Sequence, residues 1–259
     1  MGWTAPFAEF EGRVALVTGS STGIGAAVAR GFAACGAGVV LHVHRSVGEA
    51  EALRDDIVGQ GGRAFLLRAD LSDLTQAERL VQDAAAAAGR LDILVNNAGD
   101  TLARRPVADI ALADYRRILD LNFGAVFALS RAALPIFRAE GRGTIVNTGS
   151  ISARIGGSSG SVLYASAKAA VSTFTRGLAR ELAPEGIRVN AVAPGVVDTK
   201  IHRRHTSAAV LDKFVAAIPL GRSGVPDDCV GAYLYLASER LAGFVTGQVI
   251  EVNGGQFMA

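Results

Sequence analysis

The segment RVALVTGSSTGIGAAVARGFAACG, residues 13–36, runs from an aliphatic stretch through a glycine-punctuated turn into an alanine-rich helical pattern. Gly19 lets the chain turn sharply off the strand. Gly23 leaves no side chain where a diphosphate must approach the backbone, and Gly25 lets the following helix pack against the sheet. Free amides at the helix start, reinforced by the helix dipole, attract an anion. The spacing is GxxxGxG rather than GxGxxG, and turn chemistry alone explains many glycine-rich turns. The strand–loop–helix setting makes this one a dinucleotide site, with Gly19, Ser21, Thr22, Gly23, Ile24 and Gly25 as its candidate cradle.

The same alternation continues outward from this loop. Strand candidates are RVALVT (13–18), GVVLHVH (38–44), RAFLLRA (63–69), LDILVN (91–96), GTIVNTG (143–149), IRVNAV (187–192) and GQVIEV (247–252). Between them, segments such as SVGEAEALRDDIVGQ and LTQAERLVQDAAAAAG carry apolar residues at helical spacing and glycine near their ends. Nearly continuous Val, Ile and Leu suits strands covered on both faces. The pattern predicts an α/β, doubly wound Rossmann-type domain of about seven parallel strands with helices on both faces. No linker, composition shift or internal repeat divides the chain, which predicts a single domain over 1–259.

Half of the 259 residues are apolar and 19% are charged, which favours a large core over disorder. A formal charge of +2 without a long basic run argues against a nucleic-acid partner. Cys35 and Cys229 lie far apart and read as buried free thiols in a reducing cytosol. MGWTAPFAEFEG lacks the pattern of a secretory signal, and no uninterrupted apolar run reaches the ~20 residues of a membrane helix. These readings point to a soluble, cytoplasmic protein with no membrane partner.

Further motifs follow in order: NNAG at 96–99, Asn122 in LDLNFG, Ser150 closing NTGS, Tyr164 and Lys168 in YASAK, and PGVVDT at 194–199. Together with TGSSTGIG they resemble the short-chain dehydrogenase/reductase family, from EGRVALVTG to VNGGQ. Six co-ordered motifs carry the resemblance, which none of them would carry alone.

Tyr164 and Lys168 are four apart in a helical pattern, so both occupy one helix face. A phenol titrates near 10, too high for acid–base work at neutral pH, and a neighbouring ammonium or an oxidised nicotinamide lowers that value. The pair can then give a proton to a carbonyl oxygen as hydride reaches carbon, or take one from an alcohol. Ser150 ends a strand at the carboxyl edge of the sheet, where its hydroxyl would steady the reacting oxygen. The resemblance places the active hydroxyl at Ser150 rather than Ser152, and implies that Asn122 holds a water linking Lys168 to solvent. It also implies that Asn97, Ala98 and Gly99 wall the nicotinamide and ribose pocket. Asp70 and Leu71 match the position that contacts adenine, and Pro194, Gly195, Val197 and Thr199 the loop at the nicotinamide end.

LHVHRS, residues 41–46, falls about 20 positions after the glycine loop, where such folds read the ribose. An acidic residue there selects NAD. Here His44, Arg45 and Ser46 offer an arginine fork and a hydroxyl for a 2′-phosphate, so NADP(H) is favoured, with NAD(H) as the alternative. Thr22 departs from the basic residue that many NADP-preferring relatives carry before the second loop glycine. A zinc site at His42 and His44 lacks a third ligand, so no metal is expected. His42 is expected to pack against a neighbouring helix.

The expected reaction is interconversion of a ketone and a secondary alcohol on a small molecule. Reduction of 3-oxoacyl carrier-protein thioesters and dehydrogenation of a sugar or polyol are the alternatives within the class. A non-catalytic NADP-binding sensor is the alternative outside it. The resemblance implies a substrate lid at 196–224; its Lys200, His202, Arg203, Arg204 and His205, with Arg104 and Arg105 nearby, read first as a solvated face, with a preference for an anionic or polyhydroxylated substrate as the alternative. The resemblance implies a homo-oligomer, a tetramer.

Overall fold

A computed structural model of the protein describes residues 8–102, 104–199 and 213–258. Seven strands form one parallel sheet: β1 (Val14–Val17), β2 (Gly38–Val43), β3 (Ala64–Arg68), β4 (Ile93–Asn96), β5 (Gly143–Thr148), β6 (Ile187–Pro194) and β7 (Val249–Val252), in the order β3-β2-β1-β4-β5-β6-β7. All lie in the expected stretches, except that β6 runs on to Pro194, held by Pro194–Val252 pairing with β7. The edge strands β3 and β7 are only half-buried, whereas the five inner strands are buried throughout.

The helices are α1 (Gly23–Ala34), α2 (Val47–Gly59), α3 (Leu74–Ala88), α4 (Leu112–Leu119), α5 (Ala125–Ala139), α6 (Ser152–Ile155), α7 (Val162–Leu182), α8 (Asp227–Ala237) and α9 (Glu239–Ala242). Alternate strand residues feed two cores, as the two-residue period of a strand requires. Val14 and Leu16 of β1 enter the core under α3, α5 and α7, while Ala15 and Val17 enter that under α1, α2 and α8. The alanine run at 84–88 closes α3, which Asp73 caps at its start through the amides of Thr75 and Gln76, and Gly89 ends it at φ +82°. Cys229 is fully buried; Cys35, expected to be buried, is only partly so, because it sits at the C-cap of α1 facing the turn into β2.

Leu112–Ala139 is one helical run with the length and mean hydropathy of a membrane span. It nevertheless packs Ala125, Ala128, Leu129, Ala133 and Phe137 into the core, as helices beneath a sheet do. The run widens to a π turn at Asp120–Gly124. Nδ2 of Asn122 donates to the carbonyl of Ile118 four residues back (2.8 Å) and to that of Asp100 (2.8 Å), while Oδ1 accepts from the Asp100 amide (3.1 Å). A side chain that takes an i−4 carbonyl competes with the backbone ladder, which accounts for the widened turn.

Candidate active site

A cleft of about 510 Å³ opens along the carboxyl rim of the sheet, where ligands bind in open parallel sheets. Every candidate cofactor residue named from the sequence lines it, as do Ser150, Tyr164 and Lys168. Asn122 does not: it lies fully buried behind the wall.

Gly19 and Gly23 take φ +63° and +60°, which a side chain would strain. Gly25 has a reason that the sequence reading missed. A Cβ there would stand 2.4 Å from the Gly19 carbonyl and 2.5 Å from Nδ2 of Asn97, so the glycine makes room for the loop itself rather than for helix packing on the sheet. Thr18 Oγ1 accepts from the amides of Asn97 (2.9 Å) and Ala98 (3.0 Å), and Asn97 Nδ2 donates back to the Thr18 carbonyl (2.9 Å). These bonds fasten NNAG to the glycine loop. The first turn of α1 holds no acidic residue and Thr22 makes no side-chain cap bond, so its amides face the cleft without a competing carboxylate.

His42 does not pack against a helix as expected. The Gly19 amide donates to its Nδ1 (3.0 Å), so the proton sits on Nε2, which donates to the Ala69 carbonyl (3.1 Å). With both ring nitrogens occupied, His42 has no lone pair for a metal. It ties the glycine loop, the end of β2 and the end of β3 together. Burial holds its pKa at about 4, with the proximity of His44 adding to the effect against the Ala69 bond and Asp70. A lowered pKa makes the folded state favour the neutral ring, so this stability is complete above pH 6.5 and is lost as pH falls towards 4. The shift corresponds to about 3 kcal/mol. The stability gap between wild type and His42→Gln, measured by urea unfolding, is therefore expected to narrow by about that amount from pH 7 to pH 4. A gap that stays constant would contradict the neutral, doubly bonded ring.

At the far end of the cleft, Nε2 of His44 lies 3.6 Å from a carboxylate oxygen of Asp70. Arg45 is exposed and takes part in none of the ion pairs among the described residues. Ser46 stands at the N-cap of α2, yet its hydroxyl makes no cap bond. A guanidinium, a free hydroxyl and a helix N-terminus thus meet at one point, a donor set that suits a phosphate. The glycine cradle and this set together fit a phosphorylated dinucleotide.

At the other end, Tyr164 and Lys168 project from one face of α7, and Ser150 lines the same end of the cleft. Burial pushes the phenol up to about 12, Ser150 pulls it down, and Asp100 pushes it up. Nζ of Lys168 is buried, donates to the Thr148 carbonyl (2.8 Å), and lies 5.8 Å from the centre of the Tyr164 ring; burial brings its pKa down to about 8. Ser150 Oγ accepts from the Ser152 amide (3.1 Å), which leaves Ser152 as support and Ser150 facing the phenol. Gly99 is needed here too: a Cβ would stand 2.8 Å from Oδ1 of Asn122 and 3.3 Å from Nζ of Lys168.

The cleft also holds residues that the sequence reading did not single out: Asp100, Thr101, Arg117, Ser158, Ser161, Phe214 and Gln256. The glycines of GGSSG (156–160), with φ of +76°, +79° and +75° at Gly156, Gly157 and Gly160, were the available signal for the Ser158 loop. Arg105, paired with Asp114 (3.5 Å), points away from the cleft, unlike Arg104. Lys200, His202, Arg203, Arg204 and His205 lie outside the described residues.

A family profile described as Enoyl-(Acyl carrier protein) reductase matches residues 19–256. The chain is 36% identical over 249 residues to the 3-oxoacyl-[acyl-carrier-protein] reductase of Synechocystis, covering 95% of this chain and 97% of that one. It is 40% identical over 248 residues to the cis-4-hydroxycyclohexanecarboxylate dehydrogenase of Sinomonas cyclohexanicum, covering 95% and 97%. Among solved structures it is similar to a short-chain dehydrogenase of Burkholderia cenocepacia in complex with NADP, with a TM-score of 0.88, 36% identity and coverage of 95% and 98%.

Proposed function

Because the chain belongs to the short-chain dehydrogenase/reductase family, we propose that this oxidoreductase interconverts a ketone and a secondary alcohol, with NADP(H) as the preferred cofactor and Tyr164 as the general acid and base. The observation that carries this reading is that Ser150, Tyr164 and Lys168 share one end of a cleft whose other end holds Arg45 and Ser46.

A nicotinamide nucleotide bound in this cleft supplies the hydride and, when oxidised, a positive ring. The protein's own groups do the rest. Gly19, Gly23 and the α1 amides would hold the diphosphate, and Arg45 and Ser46 would grip the 2′-phosphate. Ser150 donates to the reacting oxygen and fixes its position. Tyr164, a protonated phenol at neutral pH, gives its proton to that oxygen during reduction. Lys168 places positive charge behind the phenol and lowers the cost of the phenolate that remains. The side chain of Asn122 bonds the backbone at Asp100 and Ile118. It holds the π turn and the Gly99–Asp100 wall in place, and its Oδ1, which accepts one bond here, keeps an acceptor position for a water on the route to Lys168.

Absorbance at 340 nm, followed with NADPH and NADH separately against keto acids, keto sugars and 3-oxoacyl thioesters, tests this reading. Oxidation of NADPH by at least one carbonyl is expected. Tight NADPH binding without turnover across the panel would favour a sensor instead. The Synechocystis relative makes 3-oxoacyl thioester reduction the second reading, and preferential turnover of those thioesters would establish it. Leu112, Tyr115 and Phe127 on the α4–α5 face and Phe244 before β7 are exposed; we assign these faces to contacts within a homotetramer, which light scattering on the eluted protein would test.

A further inference from the structure

We propose that Arg104 is the anchor for a carboxylate on the substrate, so that the enzyme acts on small oxo acids and hydroxy acids. This rests on the oxidoreductase reading and narrows its substrate class.

The cations of the cleft fall into three groups. Arg45 stands at the 2′-phosphate end. Arg117 acts on Asp70, as does His44, at the adenine side. Lys168 is committed to the Thr148 carbonyl behind the phenol. Arg104 belongs to none of these. Its Nη1 donates to Ser158 Oγ (3.2 Å), its Nε is shielded from water without a hydrogen-bond partner, and it enters none of the ion pairs among the described residues.

Its position is fixed. The Arg105 amide donates to the Gly160 carbonyl (3.1 Å), and a Cβ on Gly160 would stand 2.8 Å from the Arg105 nitrogen and 3.0 Å from the Arg104 carbonyl carbon. The loop bearing Arg104 is thus fastened to the loop that leads into α7. Within that loop the Ser158 amide donates to Ser161 Oγ (2.9 Å), which donates to the Ser158 carbonyl (2.7 Å). Ser161 is the N-cap residue of α7, three positions before Tyr164, so the guanidinium belongs to the catalytic end of the cleft. Thr101, on the same loop and also lining the cleft, has a buried hydroxyl with no partner.

A half-buried guanidinium with one hydroxyl contact, in the same cleft as a second, unpartnered hydroxyl, is an incomplete polar set. Leaving such groups unpaired is costly. A carboxylate completes it, because two oxygens match the guanidinium fork in a way a single hydroxyl cannot. A phosphate dianion would call for a second cation, and among the described residues Arg104 is the one cation hydrogen-bonded to Ser158.

The test compares 4-oxocyclohexanecarboxylate with its ethyl ester, which keeps ketone and ring and removes the charge. Wild type is expected to prefer the acid by at least about tenfold in kcat/KM. Arg104→Gln should cut that acid-to-ester ratio about 30-fold, near the low end of the cost of removing one partner of a shielded charge pair. Arg104→Lys should restore part of the ratio, and Arg105→Gln, outside the cleft, should leave it unchanged. Equal turnover of acid and ester by wild type, or an equal fall on both in Arg104→Gln, would overturn the anchor. Calorimetric titration with cyclohexanecarboxylate gives a readout without turnover: binding at least about tenfold weaker to Arg104→Gln is expected, and equal binding would overturn the proposal. If that binding depends on Arg104 while neither ketone is reduced, the anchor stands and the oxidoreductase reading fails. If ketones are reduced with no preference for the acid, the reverse holds.

Discussion

Tyr164→Phe is expected to lower kcat by about 1,000-fold, within the range that a positioned general acid contributes, while the NADPH dissociation constant stays within about threefold of wild type. The separation of the two effects follows from what the phenol touches. Its hydroxyl lines the cleft at the Ser150 end, and burial raises its pKa to about 12. Phenylalanine fills the same space on α7, so the glycine loop and the NNAG wall keep their bonds to each other. What is lost is the proton that must reach the carbonyl oxygen as hydride arrives. Stopped-flow turnover combined with fluorescence titration of NADPH measures both quantities. A variant keeping more than about a tenth of wild-type kcat would move the acid role away from Tyr164.

The second large effect concerns cofactor choice. Arg45→Asp is expected to reduce kcat/KM with NADPH by about 100-fold, since charge-assisted hydrogen bonds are worth about 1.5–3 kcal/mol and the new carboxylate would repel the phosphate. With NADH, which lacks the 2′-phosphate, the change should stay within about threefold. The structure strengthens the emphasis on Arg45 over His44, because His44 is turned towards Asp70 whereas Arg45 is uncommitted among the described ion pairs. An equal loss with both cofactors would mean that Arg45 shapes the loop rather than reading the phosphate.

The parallel sheet, its seven strands and the cleft residues were legible because each depends on a local pattern. Strands such as VALV and GVVLHV are rich in aliphatic residues, and the glycines at 19 and 23 sit where their own backbone angles demand them. What escaped depends on partners distant in sequence. His42 looked like a residue for helix packing because its acceptor role for the Gly19 amide joins positions 23 apart. The value of Gly25 lies in a contact with Asn97, and the place of Asn122 in a bond to Asp100. Arg104 and Arg105 are adjacent and chemically alike, and only the fold turns one into the cleft and the other towards Asp114.

The strand order has a consequence for synthesis. β1 is the first strand made and lies inside the sheet, between β2 and β4. Its β4 partner begins at Ile93, 76 positions after Val17 (93 − 17). At about 5–20 residues per second, a ribosome takes roughly 4–15 s to supply it. For that interval VALV can pair only with β2, and its other edge, apolar and fully hydrogen-bonding, stays open to any passing strand. The demand for chaperones should therefore be greatest before residue 96 emerges, and nascent chains stalled short of β4 should be the ones that chaperones retain.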